Sequence, residues 1–514
     1  MNKTLLCAVF LPLVLNAQDD YKGRVGINTT TPQATLDISK VAVSPTMPAD
    51  KPQGVLFPEL TTAERLAFSS NTKKGTLIYN KDKNCIEMYR GLINGVHEWI
   101  CTNTNAGSEV SNPSAPATAT LGTVQDVKLV VFKHNGKDYL VQGSNLKETG
   151  IANEEEITVN IPYSGALPTD GAYTAYEQTL ALKNGSGYMQ DFKLYYPAGN
   201  FTGTSGIIPA KLKNVSGATY YPALDPEDGI YRNAISNANF YTISLNGSST
   251  TTLKVQTITG VPDRCFDKTT LDCVGYGVNE KEHEFIYIPI KGPDGRVWFS
   301  NNLGAEYARV GSSHFNPVQQ ATSKTDWKAY GSLFQWQRNP DGHELITWTN
   351  STTGAPKYTG SGSLSSSWTN AGTNKFIPYT SSSDFSWVNS SLNSSGPHNL
   401  WQSGQSNNPC PAGYHVPTHA EQMALRNAIL GYDAGTSFTN SNKMWNEQVL
   451  HLPASGFRNA YDATLYLQSS GGYLWSSEQY SSYRSWGLWF SSGNSDAGIN
   501  DYRAYGYGVR CIKD

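Results

Sequence analysis

Asn408-Pro409-Cys410-Pro411-Ala412-Gly413-Tyr414-His415-Val416-Pro417-Thr418 opens the stretch that decides the fold. It continues through Leu452-Pro453-Ala454-Ser455-Gly456-Phe457-Arg458-Asn459 and Tyr473-Leu474-Trp475-Ser476-Ser477, and closes on Gly508-Val509-Arg510-Cys511. The stretch begins and ends on a cysteine. In an exported protein a bridge between Cys410 and Cys511 would tie entrance to exit, constraining the unfolded chain by up to ~5 kcal/mol for a loop of about 100 residues. Thr418 is placed to cap a helix, with Glu421 able to reach back to it. Ala424, Leu425, Ala428, Ile429 and Tyr432 then fall on one helical stripe, and Gly431 is placed to stop it. Beyond lie short Ser-, Gly-, Tyr- and Trp-rich segments without helical period, which predict strands and loops. Trp475 and Val509 are expected to be structural, and Arg510 to be a buried or half-buried partner for carbonyls or a carboxylate.

Together with Val297-Trp298-Phe299-Ser300-Asn301-Asn302-Leu303, Tyr330-Gly331-Ser332-Leu333-Phe334-Gln335-Trp336-Gln337-Arg338 and Asp341-Gly342-His343-Glu344, these motifs resemble the Fibrobacter succinogenes major paralogous domain family. The resemblance covers roughly residues 280 to 514 and implies an α+β, C-type-lectin-like module related to the formylglycine-generating-enzyme fold. It implies little about function, because a fold hosts many activities.

A chain of 514 residues is long enough for three or four domains. Met1-Asn2-Lys3, the apolar run Leu5 to Leu15 and Asn16-Ala17 read as a secretory signal peptide, residues 1 to 17. That run is too short to span a bilayer, and no later stretch approaches twenty apolar residues. The expectation is therefore a secreted or cell-surface protein with no membrane span. Cys7 falls inside the signal and, with Leu6 before it, makes a poor lipoprotein site. Six cysteines remain, in sequence-adjacent pairs: Cys85 with Cys101, Cys265 with Cys273, Cys410 with Cys511. An oxidising compartment favours disulfides, although six cysteines allow fifteen pairings. Charged residues make up only 16% of the chain, and loss of Lys3 from 39 basic against 42 acidic residues leaves a net charge near −4. Nucleic acid and anionic membrane both call for a concentrated basic surface, so the charge balance argues against either as the main partner.

Val25/Ile27 and Leu36/Ile38 are period-two apolar pairs flanking a Pro turn, as a short strand-turn-strand requires. Their segment, residues 23 to 38, resembles one found in secreted Bacteroidetes proteins and in phage-tail-fibre-like proteins. The resemblance implies a trimeric stalk, hence a homotrimer through the N-terminal region; a small β-rich cap is the alternative. Thr61-Thr62-Ala63-Glu64 is a second capping box. Residues 18 to 105 read as one small β-rich, disulfide-pinned domain, and 106 to 122 as a linker. In Lys128 to Val141 an Asn135-Gly136 turn places Phe132 opposite Tyr139 and Lys133 opposite Asp138. Further short strands at 157–161, 173–182, 191–196 and 251–255 predict an antiparallel, immunoglobulin-like β-sandwich over 123 to 275, acting as a spacer. Within the third region, 276 to 514, residues 351 to 399 form an insert of Ser, Thr, Gly and Asn, expected as a long surface loop anchored locally by Trp368, Phe385 and Trp387. The chain as a whole is expected to be multidomain and mainly β.

Candidate chemistry is thin. His415 and His419 have the i, i+4 spacing of two zinc ligands, but Pro417 separates them, so a surface and a core histidine are expected instead. Asn494, Asp496, Asn500 and Asp501 gather side-chain oxygens without the order of a calcium loop, and read as polar loop. No nucleophile–base order, phosphate-cradling loop or carboxylate pair stands out, so no enzyme, metal or cofactor is expected. An enzyme related to the formylglycine-generating fold remains an alternative; that family uses closely spaced cysteines, whereas Cys410 and Cys511 lie far apart.

Tyr480 to Tyr507 is more informative. Its Tyr, Ser, Gly, Asn and Arg are the residues of antibody paratopes, rigid rings beside adaptable hydrogen-bonding groups. Tyr480, Tyr483, Arg484, Trp489, Asn500, Asp501, Tyr502, Arg503 and Tyr505 are the expected ligand contacts. Trp486, Leu488 and Phe490 alternate with Gly487, Trp489 and Ser491, so one face is expected in the core. The stretch has no Lys, Glu, Gln or Met, which resembles the variable proteins of diversity-generating retroelements. The function expected is adhesion: an extracellular glycan or protein recognised by the C-terminal module. A structural fibre component is the other alternative.

Overall fold

The computed structural model describes residues 25–27, 36–38, 56–66, 72–93, 96–102, 119–167, 172–223, 238–379 and 385–514. The residues expected to form the signal segment, with Cys7, those expected as the Pro turn at 28–35, and those of the expected linker up to residue 118 lie outside the described residues. The chain is mainly β and multidomain, and divides into two compact units, Met1–Glu109 and Val110–Asp514.

In the first unit, Thr61 and Glu64 form the expected capping box: the Glu64 N–H donates to Thr61 Oγ1 at 3.1 Å and the Thr61 N–H to Glu64 Oε2 at 2.6 Å. The helix they open is Thr62–Leu66. A four-stranded sheet runs Glu59–Leu60, Leu77–Asn80, Cys85–Ile93, Val96–Cys101, pinned by Cys85–Cys101. Ile78, Tyr89 and Trp99 form its small core. Val25–Ile27 and Leu36–Ile38 are strands as expected, but they pair in parallel rather than as a hairpin, Val25 opposite Leu36. Period-two spacing sets which residues share a face; it carries no information on the direction of the return.

The second unit begins as a sandwich of two five-stranded sheets. One has Val127–His134 at its centre, between Lys137–Gln142 and Ser249–Thr259; the other runs Tyr176–Lys183, Met189–Tyr196, Ser205–Asn214, Glu156–Ser164, Thr120–Leu121. Leu129, Val131, Leu140 and Leu253 of the first meet Ile161, Leu194, Ile208 and Leu212 of the second in one core. The Asn-Gly hairpin has the expected register, with Phe132 stacked on Tyr139 at 4.9 Å and Lys133 paired with Asp138 at 2.6 Å.

The far face of the first sheet is not solvated. Val130, Phe132, Tyr139, Val141 and Ile258 pack on Phe266, which follows the last sandwich strand, and on Ile286, Ile288 and Phe315 of the C-terminal module. Strand Val127–His134 is thus buried on both faces, and the spacer and module expected as separate regions share a core. An apolar layer of this kind makes the sandwich a fixed mount rather than a hinged arm.

In the module the last strand, Ile512–Lys513, lies between Val297–Phe299 and Tyr414–His415, and Cys511 beside it is bonded to Cys410. The helix is His419–Leu430, with the Thr418/Glu421 capping box and Gly431 left-handed at φ 81°. Its buried stripe is rotated from the expected one: Ala428 and Tyr432 are exposed, while Gln422, Leu425 and Arg426 face inward. Polar residues hold that stripe because their donor groups are bonded there. Arg426 donates to Gly435 O, Ser437 O and Ser495 O, and Gln422 to Leu474 O and Trp475 O.

Residues 351–399 are not a surface loop. Trp368, Ile377, Trp387 and Val388 are buried in the module's main core with Trp336, and Trp387 Nε1 donates to Trp336 O at 2.8 Å. The segment has few apolar residues, but Trp368, Phe376, Ile377 and Trp387 are large and turned inward.

Candidate functional site

Three antiparallel strands, Gly471–Gln479, Arg484–Ser491 and Asn494–Tyr502, carry most of the expected contacts. Leu488 and Phe490 lie under the helix in the core. On the opposite side Trp489 pairs across the ladder with Tyr473 and is half-buried. A one-residue bulge between Gly487 and Trp489 interrupts the ladder to the third strand.

Rings around this sheet touch one another in an unbroken belt. Tyr483 lies 5.3 Å from Phe385, and Phe385 stacks on Tyr502 at 4.3 Å. Tyr379 sits beneath, 5.7 Å from Tyr502 and 4.4 Å from Tyr461. Tyr502 leads to Tyr505, Tyr505 to Phe457 at 5.5 Å, and Phe457 to Tyr466 and Tyr473. Tyr473 then reaches Trp489 and Trp489 reaches Phe438. Tyr461, Tyr466, Tyr483 and Phe438 are 63%, 43%, 41% and 55% exposed, so the belt shows ring faces to solvent along its length. Arg484 is its cation: the guanidinium lies 4.7 Å from the Tyr502 centroid, and donates to Asn500 O, Asn500 Oδ1 and Tyr502 Oη.

The expected contact residues divide. Tyr483, Arg484, Trp489, Asn500, Tyr502 and Tyr505 lie together on or beside the belt. Asp501 is half-buried beneath it, accepting from Tyr507 Oη, and burial holds its carboxyl above the ordinary range. Tyr480 is 51% exposed but belongs to a separate stack, edge-on to Trp486, which lies flat on His419 at 4.1 Å. Arg503 is a correction: it is fully buried, donates to Asn393 O, Gln479 Oε1 and Ser481 O, and lies 4.6 Å over Trp336. Its guanidinium ties the strand to the 351–399 segment and makes no surface. Phe385, Tyr379, Tyr461, Phe457 and Tyr466 were not among the expected contacts; they come from segments joined to the strands only by the fold.

The side chains weighed as ion ligands are committed to bonds within the protein. His415 bonds Asp514 at 2.6 Å and Glu421 at 3.0 Å, and His419 bonds Ala497 O at 2.8 Å. Asp496 accepts from the Gly498 N–H, and Asn500 is held by Arg484. Asp341, His343 and Glu344 do lie within metal-ligand reach of one another, fully buried. Their atoms are nonetheless committed. His343 Nε2 accepts from the Gln335 N–H at 3.0 Å, so its proton sits on Nδ1, facing Asp341 at 2.8 Å and Glu344 at 3.1 Å. Asp341 Oδ2 accepts from Arg338 Nε and Tyr276 Oη, and Glu344 Oε1 faces His283 Nε2 at 2.8 Å. The group reads as a closed internal network.

Residues 26–114 match the family described as a phage tail like trimerisation region, and residues 434–512 match a domain of unknown function. The second match spans all three of the site's antiparallel strands and the Arg510-Cys511 end. No curated protein and no solved structure matches the chain.

Proposed function

We propose that this is a secreted or cell-surface binding protein in which the C-terminal unit, a lectin-like module on a sandwich mount, recognises an extracellular glycan or protein through the aromatic belt. The observation that carries this reading is the belt's continuity: rings from four separate segments touch in series, with Phe438, Tyr461, Tyr466 and Tyr483 exposed and the others half-buried or, for Tyr379, buried behind them. Tyr and Trp give large, rigid contact area at low entropic cost, and central rings of this type dominate binding energy. The belt acts by contact, without chemistry on its ligand. Tyr483→Ala and Tyr461→Ala are each expected to weaken capture on glycan and extracellular-protein arrays by about 30-fold, the effect of a strong contact residue. Phe240→Ala, equally exposed on the sandwich, serves as control. Capture unchanged in both tyrosine variants would remove the belt from the reading.

The match to a trimerisation region favours a second element of the same reading, a homotrimer joined through the N-terminal unit. Val25, Ile27 and Leu36 are 58%, 46% and 57% exposed in the single chain, an aliphatic row suited to burial between copies. Three copies would present three belts, raising avidity without new contacts. Light scattering of the full chain is expected to give three times the monomer mass, and Ile27→Asp with Leu36→Asp to give one. The same match favours a structural fibre as the other reading, in which array capture is absent while the trimer persists.

A further inference from the structure

Residues 321–324, 445–448 and His451 line a cleft of about 190 Å³. Glu447 lines it and is 6% exposed. Its Oε1 accepts from the Val449 and Leu450 N–H groups, while Oε2 is buried with no partner within the protein. Lys324 lines the same cleft; Nζ donates to Leu452 O at 2.8 Å and lies 5.7 Å from the Phe490 centroid. An ammonium has three donors, so one carbonyl leaves it short. Burial holds Lys324 down to about 8, and the charge of fully buried Arg510 bears on both Lys324 and Glu447. Arg510 binds Asn302, Phe299 O and Leu450 O, yet its Nη2 also has no partner. Trp445 adds a half-buried ring, and exposed Thr322, Ser323 and Gln448 add neutral groups at the rim.

A carboxylate oxygen and an ammonium left under-bonded this far inside are costly unless a ligand supplies donor and acceptor together. A simple anion suits Lys324 and is repelled by Glu447; a simple cation does the reverse. Hydroxyl groups donate and accept at every position, and a saturated ring bearing them has an apolar face to lay on an indole. We propose that this cleft binds one ring of a neutral polyhydroxylated ligand, a sugar residue, with Glu447 accepting from one hydroxyl, Lys324 donating to another and Trp445 supporting the ring. The site is separate from the aromatic belt and stands whether or not the belt binds.

Saturation-transfer NMR of the full chain against free neutral hexoses, pentoses and N-acetylhexosamines tests this. At least one sugar is expected to bind saturably, with Trp445→Ala and Glu447→Gln each lowering affinity about tenfold or more and Tyr483→Ala leaving it unchanged. Thr322→Trp, on the exposed rim, gives up the hydroxyl bond to Asp326 Oδ2 but leaves Glu447, Lys324 and Arg510 in place; it closes the cleft and is expected to abolish binding in a folded chain, which covers the case in which Glu447→Gln does not fold. No saturable sugar signal, binding that survives Thr322→Trp, or a cleft that answers only to acetate or glycine overturns the proposal.

Discussion

Glu344→Ala is expected to lower the stability of the C-terminal unit by about 3–5 kcal/mol, the cost of leaving buried charge without its partner. Glu344 is fully buried between His283 and His343, and His343 in turn meets Asp341, which Arg338 holds. Burial by itself would raise the Glu344 carboxyl, but hydrogen bonds from the two histidines hold it far below the usual carboxylate range. Burial would likewise push His283 down, yet its bond to Glu344 brings it to about 8. The sign follows from these directions. A histidine raised in the folded state contributes stability that is present in full below about pH 6.5 and lost as the pH rises through about 8, at most about 2 kcal/mol here. The depressed Glu344 contributes stability that is present above about pH 4.5 and lost in stronger acid. His415, raised against its own burial by Glu421 and Asp514, adds a fall of the same sign as His283. Glu344→Gln separates the two: it removes the His283 part of the alkaline fall and leaves the His415 part. Urea midpoints between pH 6 and 9 measure this, and tryptophan fluorescence is a suitable probe because only Trp99 of the 12 tryptophans lies outside the second unit. A midpoint equally steep with pH in the wild type and in Glu344→Gln would show that His283 is not held charged by Glu344.

Local chemistry was legible in the sequence wherever a few neighbouring residues decide the outcome. Both capping boxes, the Asn135-Gly136 turn with its Phe132–Tyr139 register, the three sequence-adjacent cystines and the carbonyl-bonded Arg510 are of this kind. What long-range packing decides was not legible. Strand Ser205–Asn214 carries Pro209, which argues against a place inside a sheet. It is accommodated because the pairing with Met189–Tyr196 covers only Lys211 to Asn214, so the missing N–H falls beyond that ladder. The double burial of Val127–His134 depends on a module that begins over a hundred residues later. Arg484 and Arg503 sit in equivalent Tyr-rich surroundings, yet one lies on the belt and the other under two tryptophans, because the partners of Arg503 come from the 351–399 segment and the Gln479–Ser481 turn. Tyr480 and Tyr483 are three residues apart and were expected on one surface. The turn between their strands sends one ring toward Trp486 and the other toward Phe385, a choice that composition does not encode.

Removing the Cys410–Cys511 bridge is expected to cost more than removing either of the others. The chain-entropy estimate grows with loop length, and the three bridges close separations of 101, 16 and 8 residues, giving about 5, 3 and 2.5 kcal/mol respectively. Position adds to length for the first. Cys511 is fully buried, Cys410 nearly so, and Ile512 next to the bridge joins Trp298 to His415 across the closing sheet. Without the bridge the ends of the module are held by those two short pairings and by Arg510, whose carbonyl partners Phe299 and Leu450 belong to the same closure. Cys410→Ala with Cys511→Ala should therefore unfold the second unit as a whole, sandwich included, because the two share a core. Cys265→Ala with Cys273→Ala should leave it folded with a lower urea midpoint. The same variant bears on the alternative of an enzyme: a bridge-less chain that keeps its fold but loses a turnover would give these sulfurs a chemical role, whereas loss of folding assigns them to structure. A bridge of this weight also links stability to location, since glutathione-rich cytosol keeps thiols reduced. Chain made in a reducing cytosol is expected to show the fluorescence of the double variant, and chain exported through an oxidising compartment that of the native unit. Equal stability from both sources would mean that the closure holds without its covalent tie.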